Sequence, residues 1–238
     1  KGSNTPDWKT ILGDEEKLDR FIADCKEIIK TCDGLDVDLE WMYNQQEWNL
    51  YNHIVSRLAN EVMADYPDKI LSCSLHAVSY NGFDKDLFED VDYFTMQLYG
   101  PSTNTYTWNF YENAYNNFVQ YGYPKDKLLL SYGVLATDGT NPVKDLFGAN
   151  TGFNENYDPD VNTLTYDGTT KYFNGVTQTK RKQQFIIDND VRGTMYFDMG
   201  NDLRVDDTRS LIRAQNDIIA SNVDTLVTAV DMPPIPDA

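Results

Sequence analysis

No apolar run in the 238-residue chain approaches the ~18 residues needed to cross a bilayer. The opening Lys1-Gly2-Ser3 has neither Met nor the apolar stretch of a signal peptide, so we expect a chain without a membrane span whose start has been cut. Basic residues are scarce, with 20 Lys and Arg against 38 Asp and Glu, and the formal charge of -18 repels phosphate backbones and anionic lipid. A nucleic-acid partner is therefore excluded. His53 and His76 are the only histidines and fall on different elements; Cys25, Cys32 and Cys73 have no C-x-x-C spacing. These two shortages argue against a zinc site and for free thiols. No strand is followed by G-x-G-x-x-G or G-x-x-x-x-G-K-[ST], and no G-x-S-x-G elbow occurs. Asp158, Asp160 and Asn162 lack the glycine a calcium loop needs, and Asp188 and Asp190 run into Arg192. Neither a metal nor an organic cofactor is expected. The 21 Asn include no N-x-[ST] acceptor and aromatic residues reach 13%, a composition that suits a carbohydrate-handling bacterial exoprotein.

What is present is a regular alternation of helical and strand patterns. Leu18, Phe21, Ile22, Cys25, Ile28 and Ile29 recur at helical spacing from Glu15 to Thr31, with Asp14 placed to cap the helix. A strand from Leu35 to Trp41 follows the glycine turn, then a helix from Glu47 to Ala64 that Pro67 terminates. Further strands are expected at Lys69–His76, Tyr93–Tyr99, Leu128–Leu135 and Gly193–Phe197, and helices at Tyr106–Tyr121, Lys180–Asp188 and Thr208–Ser221. Five strands alternating with helices imply a parallel sheet, and without a nucleotide fingerprint the α/β class narrows to a (β/α)8 TIM barrel. Between Thr137 and Thr179 the pattern breaks into an insertion with one hairpin, Thr163–Tyr166 and Thr169–Phe173 about the Asp167-Gly168 turn. Loops after barrel strands lie on the face where chemistry occurs, so the insertion is expected to wall a substrate site.

The segment richest in chemistry is Asp36-Val37-Asp38-Leu39-Glu40. Alternate strand residues share a face about 6.6 to 7 Å apart, so the three carboxylates line one side while Leu35, Val37 and Leu39 face the helices. A spaced acid triple arises about once by composition alone in a chain with this acid content; the interleaved apolar residues and the preceding glycine make this one informative. Inward charges are costly to bury without partners. Crowding raises carboxyl pKa values by like-charge repulsion, and Asp36 and Asp38 are expected to share a proton as a coupled pair.

Asp33-Gly34-Leu35-Asp36-Val37-Asp38-Leu39-Glu40 resembles the D-G-x-D-x-D-x-E signature of glycoside hydrolase family 18, the chitinases, endo-β-N-acetylglucosaminidases and some non-catalytic lectins. The resemblance implies a (β/α)8 barrel with this motif on strand four. Met96-Gln97-Leu98-Tyr99-Gly100 is similar to the sixth-strand segment and Gly193-Thr194-Met195-Tyr196-Phe197 to the eighth. By the same resemblance Glu40 is the general acid and base, Asp38 the partner of the substrate acetamide, Asp36 the buried modulator behind it, and Tyr99 a hydrogen-bond partner of the acetamide. Gln97, Trp41, Tyr196 and Phe197 are expected to bind substrate. No second carboxylate nucleophile is implied, because the substrate's own N-acetyl oxygen attacks.

Two departures shape the expectation. Phe197 stands where chitinases of the family carry Trp, and Gly100 where they carry Asp; with Tyr196 and Asn201-Asp202 this looks more like the endo-β-N-acetylglucosaminidase branch. The resemblance also calls for three strands before the motif, which the chain lacks, so residues 1–238 are expected to form a single catalytic domain holding the last five β/α units. The expected function is a retaining endo-glycosidase cutting the β-1,4 bond beside N-acetylglucosamine in the N-glycan chitobiose core, with chitin as the alternative substrate. A non-catalytic sugar-binding member is the other alternative. The expected partner is the glycan alone, the expected state a monomer, and the expected location extracellular, periplasmic or cell-surface.

Overall fold

In a computed structural model the protein is described for residues 7–100, 102–136, 143–146, 158–166 and 168–222. In chain order the elements are α1 (Trp8–Leu12), α2 (Glu15–Ile28), β1 (Gly34–Val37), α3 (Gln45–Arg57), β2 (Ile70–His76), β3 (Tyr93–Gln97), α4 (Trp108–Tyr121), β4 (Leu128–Gly133), α5 (Val143–Leu146), β5 (Thr163–Tyr166), β6 (Thr169–Tyr172), α6 (Val176–Asp188), β7 (Gly193–Phe197) and α7 (Leu211–Ser221). The residues group into two compact units. The first takes in the chain up to Tyr99 with Thr107–Tyr132 and Asp190–Met195; the second takes in Gly100–Tyr106, Gly133–Asn189 and the chain from Tyr196 onward.

The first unit is built on a sheet of order β1-β2-β3-β4-β7, in which β1 through β4 pair in parallel. The sheet is open, with β1 at its edge, so among the described residues five strands are present and the barrel does not close, as the five expected units imply. Strand alternation sends Leu71, Cys73 and Leu75 of β2, Phe94 and Met96 of β3, and Leu128 and Leu130 of β4 into an apolar layer under the helices. Aromatic rings fill that layer edge to face: Phe83 meets Phe94 at 5.1 Å and 84°, and Phe94 meets Tyr123 at 5.0 Å and 89°. Cys73 is fully buried there, and burial pushes its thiol up to about 12. The opposite face of β2 carries Ser72, Ser74 and His76, in register with Asp36 of β1 at Ser72 and with Gln97 of β3 at His76.

The helices follow from their sequences. Asp14 accepts from the Lys17 N–H to cap α2, whose buried stripe is Leu18, Ile22 and Cys25. Asn44 caps α3 through the Glu47 N–H at 3.0 Å. The helix expected through Ala64 stops being regular at Arg57 and continues as a widened turn, Leu58–Val62, and a tight one, Met63–Asp65. Asn60 accounts for the change, since its amide takes the Ser56 carbonyl at 2.8 Å in competition with the helical ladder. Trp48 of α3 packs so closely on Gly82 that a Cβ there would overlap the indole, which explains glycine at that loop position.

In the second unit β5 and β6 form the expected hairpin, with Thr163 opposite Tyr172 and Tyr166 opposite Thr169. Of its turn, Gly168 has φ +72° and Asp167 lies outside the described residues, as do 137–142 and 147–157 of the insertion. The hairpin is anchored from below: Leu164 and Phe173 are buried with Val134, Val143, Val176 and Leu211 in one apolar cluster. Helix α6 starts at Val176, four residues ahead of expectation, and is tied to α7 by Lys180 and Asp217 at 3.3 Å. On its inner face Lys182 is fully buried and donates from Nζ to Asn174 Oδ1 at 2.7 Å, while Asn174 Nδ2 donates to the Gly133 carbonyl at 2.9 Å. Burial pushes the Lys182 amine down to about 7.

Candidate active site

Asp36, Asp38 and Glu40 lie in the first unit, at and beyond the end of β1. The strand is shorter than its alternation suggests: ladder pairing covers Gly34 to Val37, and Asp38–Tyr43 is irregular. Side chains take two carbonyls of this run. Tyr51 Oη donates to the Val37 carbonyl at 3.1 Å and Trp8 Nε1 to the Glu40 carbonyl at 2.8 Å.

Side chains of the neighbouring strands hold two of the three carboxylates. Asp36 accepts from Ser72 Oγ at 2.6 Å and Ser74 Oγ at 2.8 Å, both on the neighbouring strand. Asp38 accepts from Gln97 Nε2 at 2.8 Å. Each of these two aspartates thus has hydrogen-bond donors of its own. Asp36 is exposed where a buried residue was expected, since among the described residues no strand pairs with β1 on its outer side. Desolvation, then the negative charges of Glu40 and Asp36, raise the Asp38 carboxyl above the usual aspartate range, and the Gln97 hydrogen bond works against them.

Tyr99, just past β3, belongs to the same group. Its hydroxyl is pushed up by burial first and then by the charges of Asp38, Glu40 and Asp36, so the phenol feels the acid row and stays protonated. Trp41 stacks on His76 with ring centroids 4.2 Å apart and planes at 52°, and burial pushes the imidazole down to about 4. His76 is thus a neutral neighbour of the site at ordinary pH. Beyond it Trp41, Tyr43, Asn44, Val78, Ser79 and Asn81 line an open cavity of about 430 Å³ that mixes rings with amide and hydroxyl groups.

Of the expected site residues, the first unit brings together Asp36, Asp38, Glu40, Gln97, Tyr99 and Trp41. Tyr196 and Phe197 belong to the second unit, where Tyr196 packs against the apolar cluster and Phe197 is 45% exposed. Asp202, singled out with Asn201, caps α7: it accepts from Ser210 Oγ at 2.9 Å, from the Leu211 N–H at 3.1 Å and from the Ile212 N–H at 2.9 Å. Sequence reasoning missed Trp8, Tyr51, Ser72 and Ser74. The serines had a signal, the polar alternation in Leu71-Ser72-Cys73-Ser74-Leu75, which puts hydroxyls on the face of a strand beside the acids. Among the described residues no cluster of three or more His, Cys, Asp or Glu is arranged to hold a metal ion.

No protein-family model and no curated protein matches the sequence. Solved structures do match. Chitinase ChiB of family GH18 from the chitin utilization locus of Flavobacterium johnsoniae superposes with a TM-score of 0.71 at 19% identity, covering 90% of this chain and 69% of that one. Catalytic domain 2 of the Ostrinia furnacalis Group II chitinase gives 0.73 at 13% identity over 98% of this chain and 76% of that one. The class V chitinase of Nicotiana tobaccum gives 0.66 at 12% identity, covering 91% and 78% respectively. Over nine-tenths or so of its length, this chain has the fold of the GH18 chitinases.

Proposed function

We propose that the chain is a retaining endo-glycosidase that cleaves the β-1,4 bond beside an N-acetylglucosamine, with Glu40 as acid and the substrate's acetamide oxygen as nucleophile. The observation that carries this reading is the acid row at and beyond the end of β1, in which Ser72 and Ser74 hold Asp36, Gln97 holds Asp38, and the Glu40 charge acts on both Asp38 and the Tyr99 phenol. Asp38 and Glu40 stand two residues apart on one segment, so they approach a sugar from one side and do not flank the anomeric carbon as an acid and a nucleophile must. In the reaction Glu40 gives its proton to the leaving oxygen as the glycosidic bond breaks. The acetamide oxygen bonds to the anomeric carbon, closing a positively charged ring. Asp38 accepts from the acetamide N–H and stabilises that charge, and Tyr99 orients the group. Glu40, now ionised, takes a proton from water, which attacks the anomeric carbon and reopens the ring with net retention.

The substrate we favour is the chitobiose core of N-glycans, supported by Gly100 and Phe197 where chitinases carry Asp and Trp. Chitin is the second reading, favoured by the names of the structural neighbours; the Ostrinia furnacalis domain was solved with a penta-N-acetyl chito-oligosaccharide. We place the protein outside the cytoplasm, as a monomer, where such glycans are met. Incubation with a high-mannose glycoprotein, a complex-type glycoprotein and chitin oligomers in parallel tests the reading. Release of whole N-glycans is expected, and cleavage of chitin oligomers alone would select the second reading. Glu40→Gln should lower turnover by ~100-fold or more while glycan binding survives. A matched substrate with a 2-hydroxyl in place of the acetamide should be inert, and its efficient cleavage would refute the substrate-assisted route.

A further inference from the structure

The segment that carries Glu40 has left the sheet, so its backbone direction must be set by something other than a ladder. Helix α1 supplies that hold. The indole Nε1 of Trp8 donates to the Glu40 carbonyl at 2.8 Å across 32 residues of chain. The Trp8 ring is braced by Tyr51, edge-on at 6.5 Å and 73°, and Tyr51 is itself fully buried. Tyr51 uses its hydroxyl on the Val37 carbonyl, so two aromatic donors bracket the acidic run, one at each end, with Asp38 between them. The next residue of α1 extends the hold. Lys9 Nζ sits 4.6 Å over the Tyr43 ring and 3.0 Å from Glu47, and Glu47 Oε2 accepts from the Tyr43 N–H at 2.6 Å.

We propose that Trp8 is a positioning residue for Glu40, fixing through the carbonyl the peptide plane from which the carboxyl is aimed at the glycosidic oxygen. The proposal rests on the reading of Glu40 as the acid. A proton donor acts only within hydrogen-bond reach of the oxygen it protonates, and displacement by about an ångström costs up to ~100-fold in rate. A carbonyl with no ladder partner and no indole partner leaves the Glu40 backbone free to rotate by that much. Substrate affinity, set by other contacts, has no reason to follow.

The test removes the donor and keeps the ring. Trp8 is replaced by benzothienylalanine, in which sulfur stands for the indole N–H in a side chain of the same shape, and separately by Trp8→Phe. Turnover and KM are measured on the glycan that proves to be cleaved, with thermal unfolding alongside. The expected result is kcat lower by on the order of tenfold in both variants, KM within about twofold, and an unchanged melting temperature for the benzothienylalanine protein. Unchanged kcat in the benzothienylalanine variant overturns the proposal, even if Trp8→Phe loses both activity and stability, because Trp8 would then serve packing alone. Glu40→Gln assayed beside them separates the two levels. Full activity in that variant overturns the acid assignment and the positioning role with it, whereas its inactivity together with fully active Trp8 variants overturns the positioning role only.

Discussion

His76 shows how a single residue beside the acids gains a measurable property from its place. Stacked on Trp41 and desolvated, its imidazole titrates near 4 instead of 6.5. As pH falls through 6.5 the unfolded chain takes up a proton that the folded chain refuses until about 4, so folding stability from this group is lost progressively across that window. Asp38, raised in the folded state, works in the opposite sense: it binds its proton earlier in the folded than in the unfolded chain and favours folding as pH falls toward its own titration. Urea midpoints at pH 7 and 5.5 should therefore fall for the natural chain and fall less for His76→Gln; equal losses would show that the imidazole is not desolvated. The residues on a period-two strand were the readable part of this site. The spacing of Asp36, Asp38 and Glu40 is visible in five consecutive letters, and Gln97, read from its own strand, hydrogen-bonds Asp38. Trp8 and Tyr51 gave no such sign, since each reaches the acidic run from a helix and no spacing links Trp8 with Glu40.

Among the elements, the hairpin of β5 and β6 was expected to form a substrate wall, and its sequence says nothing of what lies beneath it. The structure buries Leu164 at 6% exposure in the apolar cluster of the second unit. Truncating it leaves a cavity, so Leu164→Ala should cost about 2–5 kcal/mol in urea unfolding; a loss below about 0.5 kcal/mol would show that Leu164 adds no packing beneath the hairpin. Deleting the hairpin should likewise lower stability. Element type was legible almost throughout because apolar spacing differs between helix and strand, as in Leu18, Ile22 and Cys25 against Leu71, Cys73 and Leu75. Boundaries were less legible where one side chain decides them. Val37 ends its strand because Tyr51 takes its carbonyl, and Asn60 disturbs its helix by bonding back to Ser56. Neither competition shows in a hydrophobic pattern.

For the whole molecule, a charge of -18 spread over 238 residues bears on which glycans approach. Neutral glycans feel little of it, while sialylated ones are repelled over roughly 10 Å at 0.1 M salt. Rates on a sialylated substrate should rise with ionic strength while those on its desialylated form stay level; a flat profile for both would mean that the acidic residues lie away from the approach. The parallel sheet was legible from the alternation, and so was its open edge, since five strand units fall short of the eight that a barrel needs. The division into two units leaves a further consequence. Among the described residues, the first unit encloses the fully buried Cys73 thiol and the second the fully buried Lys182 amine. An alkylating reagent and an acylating one can reach them only when the enclosing unit opens, so the two labelling rates are separate clocks on one polypeptide. Matching rates across a denaturant series would mean that the chain opens as one cooperative body. Divergent rates would rank the acid-bearing sheet against the hairpin and its helices in the order in which they give way.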